Sequence, residues 1–214
     1  METDKRKIII ELVIILILLI LMCLIPDVKE VFNGERDRLK QLETLKNTTI
    51  PEWINVDIIE VDGHSRREKS VDEVNAIVVH YVGNPSSTAK QNRDYFNSKE
   101  AKVSSHFVVG LDGEIIQCLP LYEISAASNW RNHDTISIEV CHPDTTGKFN
   151  EKTYNSLVKL TAWLVELCEL DEDGIIRHYD VTGKECPRYY VRNPKAWNDF
   201  KTDVMNKVKL NKGV

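Results

Sequence analysis

An apolar run from Ile8 to Ile25, interrupted only by Glu11, constrains this chain more than any other feature. As an α-helix it would reach about 27 Å, close to a hydrocarbon core of roughly 30 Å. Glu11 falls in the first turn of the run, where a carboxylate reaches the interface at less cost than from the centre. Lys5-Arg6-Lys7 precedes the run, so the positive-inside rule keeps the N-terminus in the cytoplasm and places the rest of the chain outside the cell. A cleavable leader would need small residues after the apolar core, and Leu21-Met22-Cys23-Leu24-Ile25-Pro26 offers none. The expectation is an uncleaved signal anchor in the cell membrane. Residues 1–7 are cytoplasmic, 8–25 transmembrane, 26–50 a juxtamembrane linker and 51–214 an extracellular globular domain.

Within the linker, Val28, Val31, Phe32, Leu39, Leu42 and Leu45 recur at roughly helical spacing, so a stalk helix and a solvated connector are both open. Asn47-Thr48-Thr49-Ile50-Pro51 breaks any helix there. With 214 residues, the chain has room for one globular domain plus accessories. A net charge of −5 supplies no basic surface for nucleic acid, which is not expected as a partner. The five cysteines are odd in number and widely spaced, unlike a disulfide framework. Cys118, Cys141 and Cys168 read as small buried hydrophobes.

Periodicity from Trp53 onward alternates strands and helices. Ala76–Tyr81 is β-branched throughout, the pattern of a strand buried on both faces. A helix follows to about Asn97, capped by Ser86 or Ser87. His106–Gly110 and Glu114–Cys118 flank Asp112-Gly113, a hairpin signal. Thr135–Val140 alternates as a strand. From Asn150 or Thr153 to Cys168, Tyr154, Leu157, Leu160, Trp163, Leu164 and Leu167 form a helical stripe. Gly174–His178 is a short strand, and Asn193-Pro194 opens a last helix bearing Trp197, Phe200 and Val204. The predicted class is α/β: one domain with a central mixed sheet flanked by helices.

His80 closes the first of these strands and His178 closes another, with Cys186 beyond the turn Asp180-Val181-Thr182-Gly183. Two imidazoles and a thiolate suit Zn²⁺, and three protein ligands leave a fourth position open for catalysis. Zinc in such a set lowers the pKa of water and polarises a carbonyl. The spacing alone equally allows two hydrogen-bonded histidines beside a buried cysteine, since neither a C-x-x-C pair nor an H-E-x-x-H helix is present. Glu139 lies between apolar strand residues, either facing solvent or placed in a cleft to carry a proton. Lys184 is either a loop charge or a partner for a developing oxyanion. His106 reads as a structural hydrogen-bonding residue, and His142 as a loop residue that could touch substrate.

Four stretches, Ile77–Tyr81, Ser104–Gly113, Ser137–Glu139 and His178–Pro187, resemble the N-acetylmuramoyl-L-alanine amidase family, in the family's order and over about Ala76 to Phe200. This is the group of zinc amidases that includes phage T7 lysozyme and the peptidoglycan recognition proteins. The resemblance implies one zinc held by His80, His178 and Cys186, with Glu139 as acid/base and Lys184 on the oxyanion. It also implies peptidoglycan as substrate, cut at the amide between muramic acid and L-alanine. Ser105 stands where several relatives carry a catalytic tyrosine, which leaves that role to Glu139. Ser125–Trp130 replaces a Trp-His pair common in relatives, so that wall of the groove differs. A non-catalytic peptidoglycan-binding module of the same fold and a zinc peptidase are the alternatives.

Overall fold

The computed structural model describes the backbone of residues 2–24, 26–61 and 65–213, with the side chains of residues 2–4, 7, 18, 21–24 and 26–29 outside the description. The chain divides into two compact units, Met1–Lys40 and Gln41–Val214. In the first, helix α1 spans Glu2–Leu24, and helix α2 (Pro26–Asn47) begins. Ile8 to Ile17 are exposed along α1, Ile9 at 58%. Among the described residues, no helix is long and apolar enough to cross a membrane. The expected anchor over 8–25 therefore gains no support from the fold. Its described side chains run without a gap only from Ile8 to Ile17, about 15 Å of helix. The rest of the run falls largely on residues outside the description.

The second unit starts inside α2, ahead of the expected boundary at Pro51. The reason is packing. Leu42 and Leu45 are buried in the main core. The Gln41 amide donates to the Val74 carbonyl (3.0 Å) and accepts the Val74 N–H (2.6 Å). The end of the predicted linker is thus helical and part of the domain, and α2 stops at Asn47 where the Pro51 segment breaks it.

The remaining described elements are β1 (Asn55–Val56), β2 (Ala76–Val79), α3 (Ala89–Phe96), β3 (Phe107–Val109), β4 (Ile115–Gln117), β5 (Thr135–Val140), α4 (Glu151–Leu167), β6 (Ile175–Arg177), α5 (His178–Thr182), α6 (Arg188–Arg192) and α7 (Pro194–Lys212), with short 3-10 turns at Asn129–His133 and Glu172–Gly174. Among the described residues, the strands form one six-stranded sheet in the order β1-β4-β3-β5-β2-β6. The β3–β4 hairpin is antiparallel and the other described pairings are parallel, so the sheet is mixed as predicted. The hairpin turns at Asp112-Gly113, where Gly113 takes φ +85°, a conformation open chiefly to glycine.

Side-chain alternation assigns the two faces of this sheet. Ile77, Val79, Phe107, Val109, Ile136, Ile138 and Val140 enter one core with Leu157, Leu160 and Leu164 of α4 and Trp197, Phe200 and Val204 of α7. Val108 and Ile116 face the other way, onto Ala89 and Phe96 of α3. Local caps set where these helices start. Thr88 forms a reciprocal capping box with Gln91, so α3 begins after Thr88 and not at Ser86 or Ser87. Ser87 instead turns its hydroxyl back to the Asn84 carbonyl (2.8 Å). Asn150 caps α4 through the Thr153 N–H (3.0 Å). Leu45→Ala should lower unfolding free energy by about 2–5 kcal/mol in chemical denaturation, the cost of a truncated buried leucine. A loss below about 1 kcal/mol would mean that the end of α2 is not part of the core.

Candidate active site

Strands β6, β2 and β5 are adjacent and parallel, so their C-terminal ends open on the same edge of the sheet. In open α/β sheets that edge is where ligands sit. The register is specific. Val79 stands opposite Ile138 on one side and Arg177 on the other. One residue further along, His80 comes between Glu139 and His178, and the His80 N–H donates to the Ile138 carbonyl (2.8 Å). Alternation turns the His80 and Glu139 side chains away from the main core, because Val79 and Ile138 point into it.

Cys186 reaches the same spot by a different route. His178 does not end a strand, as the sequence suggested, but opens the short helix α5. The helix closes at Gly183, in the left-handed conformation (φ 77°), and the chain doubles back. The Cys186 carbonyl then accepts the Tyr179 N–H (2.9 Å). The thiol comes to 3.9 Å from His80 Nδ1, and His80 Nδ1 lies 3.1 Å from His178 Nδ1. The three ligand atoms all lie within 4.8 Å of one another and all three residues are buried.

Each imidazole is held at its other nitrogen, His80 Nε2 by Ser128 Oγ (3.3 Å) and His178 Nε2 by Asn129 Oδ1 (2.9 Å). Burial holds the His80 pKa well below the ordinary imidazole value, with the positive charges of His178 and Lys184 acting the same way. Burial, then Lys184, lowers His178 as well. Burial, reinforced by the Glu139 charge, pushes the Cys186 thiol up to about 12. The metal-free set is therefore two neutral imidazoles and a protonated thiol. Binding a divalent cation would release one net proton from this set, that of the thiol. Convergent, buried nitrogen and sulfur donors held from outside fit zinc.

The cleft beside these residues measures about 290 Å³ and is lined by Tyr81, Val82, Glu139 and Lys184 together with the three donors. Glu139 Oε2 is out of solvent contact and has no hydrogen-bond partner among the described residues. Burial raises its carboxyl to about 8, with the Lys184 ammonium opposing. Lys184 itself is exposed. Ser105, the departure from the tyrosine of some relatives, is fully buried and supports the sheet. It accepts the Glu139 N–H (3.2 Å) and donates to the Phe107 carbonyl. His106 is structural: its Nδ1 accepts the Ser137 N–H (3.0 Å) and its Nε2 lies 2.8 Å from the Glu123 carbonyl. His142 packs on Tyr81 at 5.0 Å and bonds the Asp144 carbonyl (2.6 Å), outside the cleft lining. The sequence marked Ser125–Trp130 only as a differing wall of the groove and gave Ser128 and Asn129 no tie to the histidines, because a short polar turn gives no periodic signal.

Residues 70–189 match the family model described as N-acetylmuramoyl-L-alanine amidase. The chain belongs to that family. The amidase BlyA of Bacillus subtilis is 31% identical over 174 residues, covering 70% of this chain and 46% of that protein. The amidase CwlL of Bacillus licheniformis is 28% identical over 163 residues, covering 68% and 45%. This amidase-family chain thus spans about half the length of the curated relatives it matches. A mutant endolysin from Bacillus subtilis superposes with a TM-score of 0.62 at 27% identity, covering 71% of this chain and 97% of that one. PlyL, at 22% identity and a TM-score of 0.63, covers 71% and 96% and shares the fold.

The raised Glu139 pKa makes the metal-free amidase domain pH-sensitive in a defined direction. Unfolded, this carboxyl ionises near 4.5; folded, it keeps its proton to about 8. Across that interval the folded state binds more protons, so the Glu139 contribution to stability falls as pH rises. Glu139→Gln stays neutral and escapes this loss. Its stability relative to wild type should therefore grow between about pH 5 and pH 8 in urea unfolding of the metal-free protein. A difference that stays flat with pH would show that Glu139 ionises normally.

Proposed function

We propose that this chain hydrolyses the amide bond between the lactyl group of N-acetylmuramic acid and L-alanine in peptidoglycan. One observation carries the reading: the strand register sets Glu139 and His178 on either side of His80, with Cys186 folded back to complete the donor set. A zinc ion on His80, His178 and Cys186 would supply a Lewis acid with an open position for the scissile carbonyl. Glu139 takes the proton of the attacking water and passes it to the leaving amine nitrogen of L-alanine. Its buried, unpartnered oxygen and raised pKa suit it to hold that proton between the two transfers. Lys184, at the rim of the same cleft, brings an ammonium toward the oxyanion that develops on the carbonyl oxygen. The remaining lining, with Tyr81, Val82, Phe96 and Val103, is the wall against which muropeptide packs.

Zinc content and digestion of defined muropeptides test this directly. Wild type should hold close to one zinc and release products with a free L-alanine amine. Glu139→Gln should keep the zinc and lose about 10²–10⁴-fold in kcat. Lys184→Met should lose about 10²–10³-fold. Zinc without cleavage would favour a binding module, and a cut between amino acids a peptidase. Loss of neither zinc nor activity in Cys186→Ser would refute the ligand set.

The reading extends to the N-terminal unit. We infer that Lys5-Arg6-Lys7 and the aliphatic run after it hold the amidase domain at the outer face of the cell membrane. The support is the sequence pattern and the exposure of Ile8 to Ile17. The full chain should sediment with membranes and keep a C-terminal tag open to protease in intact protoplasts. A chain starting at Gln41 should be recovered in the soluble fraction. A full chain that stays soluble would remove the anchor.

A further inference from the structure

The outward nitrogens of both candidate ligand histidines are taken by a single dipeptide, Ser128-Asn129. The dipeptide is itself fixed in place. The Asn132 side-chain oxygen accepts the N–H groups of Ala127 (3.1 Å) and Ser128 (2.7 Å), and the Ser128 carbonyl accepts the Arg131 N–H (3.0 Å). Ser128 is fully buried. Asn129 holds φ +55°, the left-handed region that asparagine tolerates better than most residues.

The two partners are chemically unlike. The Asn129 side-chain oxygen can only accept, so His178 carries its proton on Nε2 and presents a bare Nδ1. A serine hydroxyl can donate or accept. Because the two Nδ1 atoms stand 3.1 Å apart and that of His178 is bare, His80 carries the proton between them on its own Nδ1. His80 Nε2 then accepts from the Ser128 hydroxyl. For His80 to offer Nδ1 to a cation, its proton must move to Nε2 and the hydroxyl must turn to accept it.

We propose that Ser128 and Asn129 form an outer clamp that readies both histidines for a divalent metal. Asn129 fixes His178 in the ligand tautomer, and Ser128 lets His80 exchange tautomers as metal binds. Both are positioning residues, and the proposal rests on reading His80, His178 and Cys186 as the metal set. Partners of this kind fix ring orientation and ligand basicity, and losing one typically costs metal affinity about 10- to 100-fold.

The test uses the full chain in detergent, zinc competition against a chelator, and ¹⁵N NMR of the histidine side chains. In wild type, His178 should carry its proton on Nε2 with and without zinc, whereas the His80 proton should move from Nδ1 to Nε2 on loading. Asn129→Gly keeps the positive φ without strain and removes the acceptor. It should bind zinc about 10- to 100-fold more weakly. Asn129→Asp restores an acceptor oxygen and should regain the affinity, which separates the clamp from a general loss of structure. Ser128→Ala should weaken zinc over the same range and leave the His178 tautomer unchanged. Zinc affinity in Asn129→Gly equal to wild type, or a loss that Asn129→Asp does not restore, would overturn the clamp. A wild type that takes up no zinc would overturn the metal reading beneath it.

Discussion

The parallel pairing of β2 with both β5 and β6 is the constraint on which the rest of the site depends. Because side chains alternate with a period of two, a slip of one residue would send His80 into the core and Val79 into the cleft. The slip is opposed by the core itself. Ile77, Val79, Ile136 and Ile138 all belong to the cluster that packs under α4 and α7. Register, burial and site geometry are thus one property. The same apolar residues that stabilise the sheet hold His80 between Glu139 and His178.

That arrangement leaves several polar groups in a place that water scarcely reaches, and burial dictates their charge states. The imidazoles are neutral, the thiol is protonated, and the Glu139 carboxyl keeps its proton to about 8. Uncharged forms are the cheaper solution where desolvation is costly and counter-ions are few. Lys184 opposes this for Glu139 and reinforces it for His80 and His178. A cation on the donor set would reverse the balance, because a bound dication becomes the largest local charge. The free energy of binding it would then also be stability of the fold.

Strand-borne parts of this site were readable in the sequence because they obey periodicity. The β-branched run ending at His80 and the alternation around Glu139 marked both strands, while the direction of the Glu139 side chain stayed open between solvent and a cleft. The hairpin followed from Asp112-Gly113, and the α4 stripe from its spacing. Parts that depend on one local hydrogen bond were not readable. The start of α3 moved to Thr88 because Gln91 completes a capping box, while nearby serines offered rival caps. The end of α2 joined the domain through the Gln41 amide and two leucines, which a charged connector conceals. The apolar run at 8–25 is plain in the sequence, yet the described residues hold no helix long and apolar enough to cross a membrane.

The least readable parts are those the chain places by turns. Cys186 comes to the histidines because Gly183 reverses α5 and the Tyr179 N–H captures the Cys186 carbonyl. Ser128 and Asn129 come to them because the Asn132 amide ties down their backbone. Neither placement follows from a repeating pattern, and each rests on a few hydrogen bonds where the strands rest on a core. Rigidity in the site is therefore graded. His80 and Glu139 are held by the sheet, His178 by the first turn of a short helix, Ser128 and Asn129 by the start of the 3-10 turn Asn129–His133, and Cys186 by a loop. A cation drawing His80, His178 and Cys186 together would order the softer members most, since the sheet is already fixed by packing that does not involve the site.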